Sequence, residues 1–278
     1  MISTLPSIFH ITHLKAGSQW VAEILKQSAP ERFVPAKIVD PHAMQGYGLP
    51  SFYVEPFARG NIYGTVYLTR EEFQKTVSGL FWRTKDGSFF YPRRVLGNWW
   101  NYRIRHTRYR FFVVIRDLRD TLISLYFSAK HSHPLIVDRL TQIRSFLTSS
   151  SEEDGLIYLL SEAICQYSAR IQASWIGAHD VLLLRYENIL GNEYAFFEQL
   201  TEYCQINVSR ECLQHTVRSN IFESATGRKR GDEDVNAHLR KGIVGDWRNH
   251  FTERVKTEFK KQYGKVLIDT GYEKDLNW

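Results

Sequence analysis

The chain contains 278 residues, 43% of them hydrophobic, which is enough apolar material to bury the core of one α/β domain. Its net charge of +6 indicates an anionic partner, such as nucleic acid, an anionic membrane surface or a small polyanion. The three cysteines lack C-x-x-C spacing and no run of ~18 apolar residues is present, so a disulfide framework, a zinc site and a membrane span are not expected. We therefore expect a single domain over residues 1–278 in the reducing cytoplasm.

The first predicted element is a strand at residues 9–12, which runs into a short loop that opens a helix. Backbone N–H groups at the start of a helix have no partner within the helix, so they bind anions. Lys15 in this loop adds a positive charge, and Gly17 lets a phosphate group approach the backbone. In a Walker A sequence the lysine follows the second glycine, whereas here it precedes the glycine. The loop indicates either a phosphate site or an ordinary turn between a strand and a helix.

Residues 61–70 predict the next strand, and this strand ends without a histidine. Further along, the segment 81–102 is dense in aromatic side chains, namely Phe81, Trp82, Phe89, Phe90, Tyr91, Trp99, Trp100 and Tyr102. These rings could line a site for a sugar or a flat aromatic ligand. We favour the simpler interpretation, in which they pack a subdomain or a lid.

A short apolar run at residues 110–115 predicts a buried parallel strand, which ends at Arg116. Ligands of open α/β sheets bind at the carboxyl ends of strands, and a guanidinium can make paired hydrogen bonds to a phosphate. Arg116 is therefore a candidate anion ligand. Asp117 or Asp120 can cap the helix that follows, whose apolar face includes Leu122, Leu125 and Tyr126.

The second half of the chain predicts another buried strand at residues 181–184, followed by Tyr186, and helices at residues 154–178, 192–204 and 252–263. Residues 148–154 are polar and predict a surface loop. The basic segment 227–232 either folds over a ligand or forms a plain surface loop. Arg240, Lys241 and Gly242 combine two cations with an accessible backbone N–H, which suits a phosphate, although a basic turn before the last helix is the structural alternative.

Four of these segments resemble motifs of the sulfotransferases that use 3′-phosphoadenosine 5′-phosphosulfate (PAPS). Residues 15–20, Lys-Ala-Gly-Ser-Gln-Trp, resemble the family's 5′-phosphosulfate loop, usually Lys-Ser-Gly-Thr-Thr-Trp. Residues 116–124 resemble the 3′-phosphate motif Arg-x-Pro-Arg-Asp-x-x-x-Ser, with Leu118 in place of the proline. Residues 186–189 resemble Tyr-Glu-Asp-Leu, and residues 240–251 resemble the C-terminal signature Arg-Lys-Gly-x-x-Gly-Asp-Trp-Lys-x-x-Phe. The segments follow one another in the order typical of the family.

The resemblance implies a fold and a reaction. The fold is an α/β sulfotransferase fold similar to P-loop kinases, with a mostly parallel central sheet flanked by helices. The reaction moves a sulfuryl group from PAPS to a hydroxyl or amine of a small-molecule, glycan or lipid acceptor. Its nucleotide product is adenosine 3′,5′-bisphosphate (PAP), and no metal takes part.

The resemblance also implies a role for each motif residue. Lys15 is the implied catalytic residue, Arg116 and Ser124 hold the 3′-phosphate, and Arg119 and Asp120 support their loop. Tyr186 and Phe222 contact the adenine. The full set of implied nucleotide-binding residues is Lys15, Ala16, Gly17, Ser18, Gln19, Trp20, Arg116, Ser124, Tyr186, Phe222, Arg240, Lys241 and Gly242.

The general base and the oligomeric state stay open. Cytosolic members of the family usually carry the base in a Lys-Thr-His triplet after a strand that precedes the 3′-phosphate motif, and the strand at residues 61–70 has no such triplet. The candidate bases are therefore His13, His106, His131 and His133. The family's dimer motif, Lys-x-x-x-Thr-Val-x-x-x-Glu, would begin at Arg248 and then fails, so dimerisation by that route is doubtful.

Two alternative functions compete with this interpretation. A nucleotide or sugar kinase of related fold would need a lysine after the loop glycines and a magnesium-binding carboxylate, and the loop lacks that lysine. A basic nucleic-acid-binding protein would fit the charge and the aromatic content, and its affinity would fall steeply with salt. We expect no nucleic-acid partner.

Overall fold

The computed structural model describes residues 5–35, 38–39, 60–77, 82–83, 89–90, 109–135, 138–178 and 181–278. The strands within these ranges are β1 (Ser7–Thr12), β2 (Phe33–Val34), β3 (Ile38–Val39), β4 (Ile62–Tyr67), β5 (Trp82–Arg83), β6 (Phe89–Phe90), β7 (Tyr109–Ile115) and β8 (Leu182–Arg185). The helices are α1 (Ser18–Ser28), α2 (Arg70–Val77), α3 (Leu118–Phe127), α4 (Asp138–Ser149), α5 (Glu152–Leu160), α6 (Ala163–Trp175), α7 (Glu193–Cys204), α8 (Arg210–Ser219), α9 (Phe222–Thr226) and α10 (Glu253–Asp269). A π-helix (Ser128–Ser132) continues α3, and short 3₁₀ helices lie at Tyr186–Asn188 and Asp246–Asn249.

The central sheet is parallel and has the strand order β2-β4-β1-β7-β8, with β3 also pairing with β4. A separate antiparallel pair joins β5 and β6. Parallel neighbours need long crossover connections, and here helices supply several of them. The prediction of a mostly parallel sheet flanked by helices is confirmed.

Alternate residues of the central strands pack into two different cores, one on each face of the sheet. Phe9, Ile11 and Val113 face a core that includes side chains of α3, α5, α6 and α10. Ile8 and Phe112 face the opposite core, which includes side chains of α1, α7 and α8. Burial on both faces explains why these strands appear in the sequence as continuous apolar runs.

The prediction of one continuous helix at residues 154–178 is wrong, because two helices occupy this stretch. Between α5 and α6 the backbone of Glu162 is extended, with φ −71° and ψ 139°. Its carboxylate is buried and forms an ion pair with Arg139 of α4. A contact from a different part of the chain thus accompanies the break, and the local apolar pattern does not reveal it.

Two further boundaries differ from the sequence predictions. The polar stretch predicted as a loop at residues 148–154 is mostly helical, because α4 ends at Ser149 and α5 begins at Glu152, with the Ser151 hydroxyl accepting from the Asp154 N–H at 3.1 Å. The last helix is longer than predicted, since α10 continues to Asp269. Within the described ranges, no helix has both the length and the apolar character needed to cross a membrane.

Candidate functional site

The carboxyl ends of β1, β4, β7 and β8 lie at one edge of the sheet and open into a cavity of about 580 Å³. This volume falls within the range of about 300–1,000 Å³ that is typical of small-molecule sites. Of the thirteen residues predicted from the sequence, Ala16 alone does not line the cavity, and its side chain is fully buried. The others line it together: Lys15, Gly17, Ser18, Gln19, Trp20, Arg116, Ser124, Tyr186, Phe222, Arg240, Lys241 and Gly242.

The loop between β1 and α1 presents free backbone donors to this cavity. Lys15 and Gly17 both have left-handed backbones, with φ of 64° and 78°. Gly17 is the N-cap of α1, and no side chain caps the N–H groups of the first turn. These donors suit an anion, as the sequence predicts.

Two cations lie next to each other at the ends of β1 and β7. The Arg116 guanidinium donates to the Lys15 carbonyl at 3.0 Å, and its Nε has no hydrogen-bond partner in the described part of the chain. Burial first, and then the charge of Arg116, lowers the pKa of Lys15 to about 8. Among the described residues no carboxylate lies within ion-pair distance of either side chain, although Asp120 and Glu187 are close enough to Arg116 for its charge to offset part of the rise that burial causes in their pKa values. An anion that entered here would add direct pairing to both cations.

The start of α3 is held by buried charges. Asp117 caps the helix, because its carboxylate accepts the Arg119 N–H at 2.9 Å and also the Arg119 guanidinium at 2.7 Å. That guanidinium packs against the rings of both Trp247 and Trp278, 4.0 and 4.4 Å from their centroids. Asp120 does not cap α3, although the sequence allowed it.

Asp120 instead connects α3 to the C-terminal motif. Its carboxylate accepts the backbone N–H groups of Gly245 at 2.6 Å and Trp247 at 3.0 Å. The 3′-phosphate motif and the C-terminal signature are therefore held together directly. Arg119 and Asp120 thus have structural contacts, in line with the supporting role implied by the resemblance.

Asp246 organises the two cations of the C-terminal motif. Its carboxylate forms ion pairs with Arg240 and with Lys241, the latter at 2.8 Å. Burial alone would raise the pKa of Asp246, but the His250 imidazole, 3.4 Å away, and hydrogen bonds from Lys241 and Arg240 hold it far below its usual value. The Asp246 carboxylate and the hydrogen bond to Glu152 in turn raise the pKa of His250 to about 9. The sequence analysis missed this carboxylate network, although the aspartate is part of the quoted signature.

The two aromatic residues predicted to contact adenine each rest against a glycine of a motif predicted to bind phosphate. A Cβ atom on Gly17 would lie 2.6 Å from the Tyr186 ring, and one on Gly242 would lie 2.6 Å from the Phe222 ring. Both glycines have left-handed backbones, with φ of 78° and 68°. Each ring therefore borders the cavity beside a different motif. A larger residue at Gly17 would displace Tyr186, and one at Gly242 would displace Phe222.

The loop at residues 227–241 is folded onto the cavity. Arg228 donates to the carbonyl oxygens of Asp232 at 2.8 Å and Arg240 at 2.7 Å, which holds the loop together. Ala237, His238 and Leu239 line the cavity. Within the predicted segment 227–232, Arg230 lines the cavity. Whether this segment folds over a ligand or forms a plain surface loop stays a prediction.

The candidate bases have different surroundings. His13 is fully buried: its Nδ1 donates to the Leu14 carbonyl at 2.9 Å and its Nε2 accepts the Arg116 N–H at 3.1 Å. Burial lowers the pKa of His13 to about 3, so it is unsuited to take a proton from an acceptor. His131 is exposed beside the Phe127 ring, and His133 lines the cavity. His106 and most of the aromatic segment 81–102 lie outside the described residues.

Comparisons with known proteins show the family. A family model described as "Sulfotransferase domain" matches residues 101–271, more than half of the chain, and leaves out the first loop. Human sulfotransferase 1C2 is 24% identical over 173 residues, which are 58% of this chain and 55% of the relative. Cytosolic sulfotransferase 3 of Arabidopsis thaliana is 26% identical over 175 residues, which are 56% of this chain and 54% of the relative. The chain thus spans about half the length of the curated relatives it matches.

Solved structures share the fold. Mouse sulfotransferase SULT7A1, crystallised with PAP, superposes with a TM-score of 0.59 at 16% identity, covering 94% of this chain and 84% of that one. A retinol dehydratase in complex with retinol and PAP gives a TM-score of 0.55 at 13% identity, covering 96% of this chain and 82% of the other. At such identities the likeness supports the fold alone.

Proposed function

We propose, on the premise that this chain belongs to the sulfotransferase domain family, that it transfers a sulfuryl group from PAPS to an acceptor and releases PAP. The main support is that two cationic clusters from distant parts of the sequence converge in one cavity. Lys15 and Arg116 form one cluster, and Arg240 and Lys241 form the other. A nucleotide with two separate phosphate positions fits this arrangement, and two related folds were crystallised with PAP.

The residues present also fit the parts of such a nucleotide. The free donors at the start of α1, together with Lys15, suit the 5′-phosphosulfate. Ser124 and the cations at 240 and 241 suit the 3′-phosphate, and by the resemblance Arg116, which lies beside Lys15, also contributes to that position. The rings of Tyr186 and Phe222 offer faces on which a base can stack, an interaction worth about 1–3 kcal/mol per base.

In the proposed reaction, the acceptor oxygen or nitrogen bonds to sulfur while the bond between sulfur and the phosphate oxygen breaks. PAPS supplies the sulfuryl group, and the acceptor loses a proton to a base that we leave unassigned. The Lys15 ammonium would stabilise the negative charge on the leaving oxygen. Removing one such preorganised group typically costs on the order of 10²–10³ in rate.

We further propose that the acceptor is a small molecule, a glycan or a lipid, that the protein acts in the cytoplasm as one domain, and that nucleic acid is not its partner. The reaction would need no metal. The cytoplasmic setting is supported by the name of the matched plant relative, a cytosolic sulfotransferase.

The experiment is a calorimetric titration of the full chain with PAP in EDTA, beside adenosine 3′-monophosphate and adenosine 5′-monophosphate. If both phosphate positions are used, PAP should bind at least about tenfold more tightly than either monophosphate. Equal affinity for the three nucleotides, or binding of ATP only with magnesium, would overturn the proposal in favour of a different nucleotide site. A screen of acceptors with labelled PAPS then identifies the substrate class.

A further inference from the structure

Tyr67 contacts the first phosphate loop from a strand that the motif comparison does not include. It is the last residue of β4, its side chain is 4% exposed, and it lines the cavity. Its hydroxyl lies 2.9 Å from the Oγ of Ser18, the first residue of α1. A hydroxyl of the predicted 5′-phosphosulfate loop thus has a buried phenol as its hydrogen-bond partner.

The backbone around Tyr67 is held by α6. The Tyr167 hydroxyl lies 2.9 Å from the Tyr67 carbonyl oxygen, and the Trp175 indole N–H donates to the Leu68 carbonyl at 3.0 Å. In the next turn, Thr69 and Glu72 form a reciprocal capping box at the start of α2, with N–H to oxygen distances of 2.7 and 3.3 Å. The phenol is therefore carried by a fixed segment, as a positioning group requires.

The direction of the hydrogen bond follows from the chemistry of the ligand. Either hydroxyl could be the donor when no ligand is considered. An ionised phosphate only accepts hydrogen bonds, so Ser18 must donate its hydrogen to the phosphate when the two meet. The Ser18 oxygen then accepts from Tyr67, which still carries its proton at neutral pH because burial raises the pKa of Tyr67 to about 12.

We propose that Tyr67 is a positioning residue for the 5′-phosphate: its hydroxyl donates to Ser18 and thereby directs the Ser18 hydroxyl toward the anion. This inference rests on the proposed function. It also separates Tyr67 from the missing base, since a phenol that donates its hydrogen to Ser18 does not accept a proton from the acceptor. The strand that ends without a histidine contributes a donor relay instead.

The test compares two ligands and a double-mutant cycle in the full chain. Calorimetry is run with PAP and with adenosine 3′-monophosphate, which lacks the 5′-phosphate, on wild type, Y67F, S18A and the Y67F/S18A double variant. Loss of one hydrogen bond predicts that Y67F weakens PAP binding about 3- to 10-fold and leaves the monophosphate unchanged. In the S18A background, Y67F should have no further effect, because the relay is already broken.

Y263F is the matched control. The Tyr263 hydroxyl is also buried, donates to the Leu160 carbonyl at 2.5 Å and lies away from the cavity. This variant should lose stability but keep the wild-type ratio of the two dissociation constants. The ratio is measured within each variant, so an unfolded fraction changes both affinities alike and leaves it intact.

Several results would overturn the inference. They are unchanged PAP affinity in Y67F, equal weakening of both ligands, or the same loss in the S18A background as in wild type. If wild type binds PAP no better than the monophosphate, the proposed function fails and the role of Tyr67 fails with it. If wild type discriminates between the ligands and Y67F does so equally well, only the role of Tyr67 is wrong.

Discussion

Replacing Asp120 with alanine should lower the stability of the protein by breaking the connection between α3 and the C-terminal motif. The Asp120 side chain is 2% exposed and accepts the N–H groups of Gly245 and Trp247 at 2.6 and 3.0 Å. D120A removes both acceptors while the two donors stay in place. The turn that carries the cations at 240 and 241 loses its attachment to α3.

The magnitude follows from the two donors left without a partner. A buried donor without an acceptor costs about 1–3 kcal/mol, and the Gly245 N–H is only partly buried, so D120A should lower the free energy of unfolding by about 3 kcal/mol. For a chain of this size we expect the melting temperature to fall by roughly 5–10 °C. PAP affinity should fall roughly tenfold, because the loop must then be ordered at the moment of binding.

Urea unfolding and PAP calorimetry test this, with D269A as the control. Asp269 pairs with Lys265 at 2.7 Å on the exposed side of α10, and such surface pairs contribute about 0–1 kcal/mol. D120A should therefore be much less stable than D269A. If D120A and D269A unfold with the same free energy, the hydrogen bonds from Gly245 and Trp247 to Asp120 do not stabilise the protein as proposed.

Three further predictions concern charge, backbone and burial. K15A should fold normally and lose about 10²–10³ in transfer rate. Because the pKa of Lys15 is about 8, the affinity of the wild type for PAP should fall as pH rises from 7 to 9.5. K15R should abolish this fall, and an equal fall in K15R, measured by calorimetry, would contradict the role of Lys15. G242A should weaken PAP binding roughly tenfold by displacing Phe222, whereas G191A, where φ is 85° and no atom lies within 4 Å of the added Cβ, should lose only stability. Burial lowers the pKa of His10 to about 3 from 6.5, so the unfolded state binds a proton that the folded state does not, and stability should fall by up to about 1.4 kcal/mol per pH unit below pH 6.5. His13, whose pKa burial also lowers to about 3, contributes a slope of the same sign, so H10L should remove about half of the combined slope in urea unfolding between pH 5 and 7. A slope equal to that of wild type would contradict the assignment.

The strands and the loops that suit an anion could be predicted because each depends on a short stretch of sequence. The apolar run before Arg116 indicates its strand, and glycine with neighbouring cations indicates a loop that suits an anion. In a parallel sheet, the carboxyl ends of neighbouring strands meet at one edge. Local patterns therefore indicate Lys15, Gly17 and Arg116 without coordinates, whereas Ser124 and Phe222 are predicted only from the resemblance to the family.

The contacts that join distant segments could not be predicted in this way. Glu162, between α5 and α6, forms an ion pair with Arg139 of α4. This ion pair lies at the break between the two helices, which the apolar pattern of the sequence does not show. Tyr67 and Ser18 are 49 residues apart, so no motif contains both. The burial of His13 could not be predicted either, and without it this histidine beside the loop remained a candidate base. The role of each site residue in nucleotide binding stays a prediction, as does the single domain.

The position of β1 in the middle of the sheet has a consequence for work with fragments. The matched family region, residues 101–271, includes β7 and β8 but not β1, which pairs with β7 along six residues. A fragment cut to that region would expose the long apolar edge of β7, and such an edge can pair with another chain. It should precipitate or form aggregates when expressed, and the addition of residues 5–77 as a separate polypeptide should restore solubility by supplying the missing strands.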